Sequence, residues 1–162
     1  MRTPAVIAFL AALWPMTASA DPALDQRLEA LIADVEEEVG DVPAIRSDAL
    51  RIAVASGAPP ILLDVRSDQE RAVSVLAGAV SDADVIAPGA EVVVYCTVGL
   101  RSGITARELR KRGVDALNLR GGILAWIADG GAVVDGNGAP TRRVHVYGRR
   151  WNVLPEDFEA VW

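Results

Sequence analysis

The stretch Glu91-Val92-Val93-Val94-Tyr95-Cys96-Thr97-Val98-Gly99-Leu100-Arg101-Ser102 decides how this chain is read. Val92 to Tyr95 are β-branched or aromatic with no polar interruption, the pattern of a strand buried on both faces, as in a parallel sheet. From Ser102 onward, Ile104 and Leu109 with their polar neighbours through Arg112 read as a helix stopped by Gly113. Cys96 therefore stands at the C-terminal end of a buried strand and opens a short loop into a helix.

Working outward, the same alternation recurs. Upstream, Ile61-Leu62-Leu63-Asp64-Val65 is a second short apolar run, and Ser67 with Glu70 three residues later makes a capping box that starts a helix directly after it. A helix is expected from Ser47 to about Ser56, before Gly57 and the Pro59-Pro60 pair. Residues 77–80 read as a weaker strand, and residues 81–90 as a loop or short helix broken by Pro88-Gly89. Downstream, Ala116-Leu117-Asn118-Leu119 is a further strand, after which Gly121-Gly122 opens a helix over 123–128. Strands alternating with helices predict an α/β fold, a central parallel β-sheet flanked by helices on both faces. Ligands of such sheets sit at the carboxyl ends of the strands, where Cys96 lies.

Two extensions flank this unit, which covers 42–134. Leu24, Leu28, Leu31, Ile32, Val35 and Val39 recur at helical spacing over 21–41, an amphipathic helix ending at Gly40 and laid on the domain's own core, with a partner chain as the alternative. Residues 135–162 carry Tyr147, Trp151 and Trp162, too many aromatics for a free tail, and are expected to pack back on the domain. Residues 1–20 have a secretory pattern: Arg2, an apolar stretch over 5–13, and small residues before a cleavage site after Ala20. Export, to the periplasm, is the expectation. An uncleaved anchor is the alternative, against which the apolar run falls well short of the ~20 residues that cross a bilayer.

Composition narrows the function classes. A chain that is 51% hydrophobic and 23% charged can bury a core as one domain. Without Arg2, 15 basic residues face 22 acidic ones, a net charge of −7 that does not suit nucleic acid, whose phosphates demand a basic surface. Lys111 is the only lysine, so a cation serving an anionic substrate is an arginine. With Cys96 as the only cysteine, there is no internal disulfide, no cysteine-rich zinc site and no C-x-x-C pair. A lone thiol in an oxidising compartment asks for a chemical reason, the alternative being a buried cysteine that acts as a small apolar residue.

A loop between a buried strand and a helix start leaves several backbone N–H groups unpartnered, and together with the helix dipole they favour negative charge at their focus. Gly99 lets this loop fold tightly and Arg101 adds a full positive charge, a setting that favours thiolate over thiol. The only histidine, His145, is remote in sequence, so Cys–His or Ser–His–Asp chemistry needs the tail to bring it back. What remains is chemistry without a proton shuttle. Attack on a sulfane sulfur resembles thiol–disulfide exchange, a stable anion leaves, and a ring of amides can hold the resulting Cys96 persulfide.

The blocks Leu63-Asp64-Val65-Arg66, Gly78-Ala79, Cys96-Thr97-Val98-Gly99-Leu100-Arg101-Ser102 and Leu119-Arg120-Gly121-Gly122 with Trp126 together resemble, in order, the rhodanese homology domain of single-domain sulfurtransferases. The resemblance implies that Cys96 carries the persulfide, that the amides of Thr97, Val98, Gly99, Leu100 and Arg101 cradle it, and that Arg101 holds an anionic donor or braces the loop. It implies supporting roles for Asp64, Arg66 and Ser102, with Asp64 and Arg66 as an ion pair or loop-positioning element. Gly121 and Gly122 either give the neighbouring loop room or make a plain strand-to-helix turn.

Four residues separate Cys96 from Arg101, as in the sulfurtransferases, whereas related phosphatases and arsenate reductases have five; with Ser at 102 no register supplies the longer spacing. The chain departs from the family at Ser74-Val75-Leu76-Ala77-Gly78-Ala79, where Val75 replaces a histidine common in relatives. The expected partners are a small anionic sulfur donor and a thiol or cyanide acceptor, with no cofactor beyond the covalent persulfide, no metal and no stable membrane insertion after cleavage; a protein partner stays open. A non-catalytic binding module of the same fold is the alternative function, and a phosphatase or arsenate reductase, which the loop length disfavours, is the third.

Overall fold

The computed structural model describes residues 21–57 and 59–162; the secretory pattern and its cleavage site lie outside the described residues. Four strands form one parallel sheet in the order β1-β4-β3-β2: β1 (Ala44–Ile45), β2 (Ile61–Asp64), β3 (Glu91–Tyr95) and β4 (Asp115–Leu119). β3 occupies an inner position, paired with β2 through Leu63↔Val94 and with β4 through Val93↔Leu117. Its side chains alternate between two cores. Val92 and Val94 face Leu63, Ala106, Leu109 and Ala116, while Val93 and Tyr95 face Leu62, Leu119, Ile123 and Leu124.

The helices cover both faces. α1 (Pro22–Val39) starts where the Asp21 side chain accepts from the Ala23 N–H, and ends at Gly40 with φ 69°. It buries Leu24, Leu28, Ile32, Val35 and Val39, the stripe expected of it, on the domain's own core. Burial of each such side chain is worth about 1.5–3 kcal/mol. α2 (Ser47–Ala55) packs near α5 (Gly122–Ala128), and α3 (Asp68–Val73) begins with the expected Ser67–Glu70 capping box.

Two local expectations are corrected, and one strand lies outside them. Residues 77–80 form no strand of their own: Gly78 turns the chain at φ 80°, leaving Val80 to make a single parallel bridge to Leu63 on the sheet's edge. The pair Ala44–Ile45, too short to read as a strand, joins the opposite edge through β4. α4 (Leu100–Lys111) begins two residues before Ser102, because Gly99 takes φ 113° and turns the chain straight into the helix. Arg101 therefore sits in the first turn of α4.

The C-terminal residues fold against the domain. β5 (Val133–Val134) pairs antiparallel with β6 (Pro140–Thr141), and β7 (Arg143–His145) pairs in parallel with β8 (Glu159–Val161) across a 3-10 turn, Arg149–Trp151. Val144, Val146, Val153 and Leu154 are buried in the same core as α1 and α5. β7 lies beside α3, which carries Glu70. Among the described residues, no helix is long and apolar enough to cross a membrane.

Candidate active site

Cys96 follows β3 directly and is 2% exposed. Two donors reach its Sγ: the Gly99 N–H at 3.2 Å and the Ser102 hydroxyl at 3.4 Å. Of the amides expected to cradle the sulfur, the recorded bond is that of Gly99 alone. Gly99 stands in a left-handed turn, φ 113°, a conformation that glycine adopts freely.

The loop is fixed from behind by its own backbone. The carbonyls of Cys96 and Thr97 accept from the N–H groups of Ile123 and Leu124 in the first turn of α5, at 3.0 and 3.2 Å. This contact requires Gly122: with φ 55°, a Cβ there would stand 2.4 Å from the Cys96 carbonyl oxygen and 2.6 Å from that of Thr97. Gly122 therefore does more than turn the chain. On its other flank the loop meets α1, where Val39 packs so closely on α4 that a Cβ at Gly103 would lie 2.6 Å from its Cγ1. Thr97, Val98 and Gly99 are all buried, and Leu100 is half-buried against the α1 core.

Arg101 is held by a carboxylate that the sequence analysis assigned only to a helix cap. Its Nη1 donates to Glu70 Oε2 at 2.8 Å and its Nη2 to Glu70 Oε1 at 2.6 Å, with a further bond from Nη2 to Thr97 Oγ1 at 3.1 Å. Thr97 Oγ1 also donates to Glu70 Oε1 at 3.2 Å, and the Ser67 N–H donates to Oε2 at 2.9 Å. Burial pushes the Glu70 carboxyl up, but the bonds from Arg101 and the Ser67 N–H prevail and hold it at about 2. The Arg101 guanidinium is stabilised in its charged form by Glu70 first, against burial, and further by the neighbouring Cys96. On its outer side lies the ring of Tyr147, its centroid 5.3 Å from Arg101 Cζ.

Ser102 is tied to a second residue outside the expected set. Its hydroxyl donates to Asn118 Oδ1 at 2.7 Å, and Asn118 Nδ2 donates to the Gly99 carbonyl at 3.0 Å. One hydroxyl proton serves one acceptor at a time. A thiol at Cys96 can donate to Ser102 Oγ while Asn118 takes the hydroxyl proton; for an anionic sulfur to receive that proton, Asn118 Oδ1 must give it up.

Asp64 and Arg66 are brought together but not to the sulfur. Arg66 Nε donates to Asp64 Oδ1 at 3.0 Å and Nη2 to Oδ2 at 2.7 Å, and Nη2 also donates to the Ser74 carbonyl at 2.5 Å. Burial works against the Arg66 charge, but the bonds to Asp64 outweigh it. The pair lies against Tyr95, whose ring centroid is 5.5 Å from Arg66 Cζ and whose hydroxyl accepts from the Leu76 N–H at 3.1 Å. It ties β2, β3 and the 74–76 segment together. His145 lies in β7, where its Nδ1 accepts from the Tyr147 N–H at 3.2 Å. Among the described residues, no group of three or more His, Cys, Asp or Glu could hold a metal ion.

Glu70, Asn118 and Tyr147 are the site residues that sequence reasoning did not place. Asn118 had a signal, a lone amide within the apolar strand Ala116-Leu117-Asn118-Leu119. Glu70 had half of one, since its capping role hides the second acceptor pair of a carboxylate. Tyr147 had none.

Comparison with known proteins bears on the fold. Residues 81–129 match the model of the Rhodanese-like domain. A tRNA sulfurtransferase of Desulfurococcus amylolyticus is 40% identical over 72 residues, which is 42% of this chain but only 15% of that protein's length. Among solved structures, a rhodanese-related protein of Thermoplasma volcanium is 23% identical with a TM-score of 0.52, over 57% of this chain and 97% of its own. A thiosulfate sulfurtransferase of Pseudomonas aeruginosa is 22% identical with a TM-score of 0.51, over 70% of this chain and 24% of its own. These two likenesses establish the fold.

Proposed function

We propose, from a chain that carries a rhodanese-like domain, that it is a sulfurtransferase which moves sulfane sulfur from a thiosulfate-type donor to cyanide or a thiol through a persulfide on Cys96. The observation that carries this reading is the pair of donors on Sγ, the Gly99 N–H and the Ser102 hydroxyl, in a loop closed by Arg101. Both can serve an anionic sulfur. The Cys96 thiolate attacks the outer sulfur of the donor, the new S–S bond forms as the donor's own S–S bond breaks, and sulfite leaves with the electron pair. No proton moves, so the absence of a histidine bond to Cys96 among the described residues is no obstacle. Cyanide or a thiolate then takes the outer sulfur, as thiocyanate or as a new persulfide, and the Cys96 thiolate returns.

Arg101 is spoken for by Glu70 and so acts mainly by bracing the loop and lending its field to the sulfur. Asp64 and Arg66 support the loop. The same proposal places the protein outside the cytoplasm, following the pattern of residues 1–20. Incubation with thiosulfate followed by intact mass measurement tests the chemistry: a gain of one sulfur atom, lost in Cys96→Ser and discharged by cyanide, is the expected result. No adduct with thiosulfate or with polysulfide would sink it and leave the binding module as the better account.

A further inference from the structure

The buried state of the loop raises the question of how a donor reaches the sulfur. Cys96, Thr97, Val98 and Gly99 are all buried. α5 closes the loop from behind, and a cavity between α1 and the loop, lined by Ile32, Val35, Val39 and Asn118, borders Val98 and Gly99. Arg101, bonded to Thr97 next to Cys96, still reaches solvent, its side chain 36% exposed. The residue resting on Arg101 is Tyr147, which belongs to the C-terminal extension and is itself 65% exposed.

Tyr147 is also the one non-glycine residue with positive φ, 69°, among the described residues. For a bulky L-residue that conformation costs about 1–2 kcal/mol. Core packing does not offset it, because the ring is mostly in water. The surrounding structure imposes it: Val144 and Val146 are fully buried, the Val146 N–H bonds to the Val161 carbonyl at 2.8 Å, and the Tyr147 N–H bonds to His145 Nδ1. The backbone is thus held in a strained turn that lays an aromatic ring over the active-loop arginine.

We propose that Tyr147 is a specificity-determining residue: its ring sizes the entrance beside Arg101, so that compact sulfane-sulfur donors reach Cys96 and bulky ones do not. The identity of the donors rests on the sulfurtransferase reading; the gating of Cys96 does not. Tyr147 acts by occupying space on a fixed base and touches no reacting atom.

The test uses alkylation of the full chain by two neutral reagents, compact iodoacetamide and bulky N-(1-pyrenyl)maleimide. Cys96 is the only cysteine, so intact mass reports that site alone. In Tyr147→Gly the rate with pyrenylmaleimide, taken relative to iodoacetamide, is expected to rise about tenfold. Tyr147→Phe, which keeps the ring, stays at the wild-type ratio. The melting temperature of Tyr147→Gly is expected not to fall, because glycine adopts φ 69° freely. Should that variant fail to fold, Tyr147→Asn, whose side chain tolerates the left-handed region, carries the same comparison. A ratio that moves by less than about threefold, or a Phe variant that moves as far as the Gly variant, overturns the proposal. A wild-type chain that takes no sulfur from either thiosulfate or polysulfide would sink the sulfurtransferase reading while leaving the alkylation ratio intact, so the two failures are distinct.

Discussion

Glu70→Gln isolates the carboxylate that holds the active-loop arginine. In the native protein this carboxyl lies at about 2 against an ordinary 4.5, with Arg101 and the Ser67 N–H as the stabilising partners. At about 1.4 kcal/mol for each tenfold change in proton affinity, the difference is worth about 3 kcal/mol. Arg101 is 36% exposed, so solvent screening reduces that to about 2 kcal/mol. The sign follows from linkage: a carboxyl depressed on folding contributes fully above its unfolded value, and the contribution is lost as pH falls toward the folded one. Urea unfolding of wild type and Glu70→Gln should therefore differ by about 2 kcal/mol at neutral pH, and by progressively less from about pH 5 down to about pH 2. Glutamine keeps the shape and one acceptor, so the capping box is only half disturbed and the lost charge dominates. A difference that stays constant between about pH 6 and pH 3 would refute the assignment of that stability to the ionised Glu70–Arg101 pair.

Other perturbations follow from the same geometry. Gly122→Ala drives a Cβ to 2.4 Å from the Cys96 carbonyl oxygen and should destabilise by about 2–4 kcal/mol, read by thermal unfolding, with sulfur loading at Cys96 impaired in the fraction that folds. Ser102→Ala removes one of the two donors on Sγ while leaving Gly99 in place; persulfide formation, followed by stopped mass measurement, should slow by about tenfold or more, and the loss of the bond to buried Asn118 should cost about 1–3 kcal/mol in stability. Arg66→Met leaves Asp64 charged and buried without its partner, an error worth about 3–5 kcal/mol in urea unfolding, and Arg66→Met combined with Asp64→Leu should recover most of it.

Much of the frame was legible in the sequence because its signals are local. The unbroken apolar run of β3, the capping box at Ser67 and the apolar stripe of α1 each depend on residues within a few positions of one another. What escaped was set by distant partners. Ala44 and Ile45 are a strand because β4 offers them backbone pairing, through bonds such as the Arg120 N–H to the Ile45 carbonyl, and no side-chain pattern announces that. The start of α4 hinged on a single φ at Gly99, which glycine permits but does not dictate. Within the site, the strand-end cysteine, the loop and its arginine were visible. Glu70 arrives at Arg101 from 31 residues away, Asn118 reaches Ser102 across the sheet, and Tyr147 depends on the pairing of β7 with β8. Side chains recruited by topology leave little trace in their own neighbourhood.

The depth of Cys96 also governs how the protein ages in air. A disulfide between two copies needs their Cα atoms within about 7 Å, which two thiols on protein surfaces reach easily. A sulfur in a residue only 2% exposed is out of reach of its counterpart on another molecule. Small oxidants such as peroxide are not excluded in this way, and they carry a thiolate to the sulfenic acid and beyond. Oxidative loss should therefore show as added oxygen on a monomer, with non-reducing electrophoresis free of a cross-linked dimer.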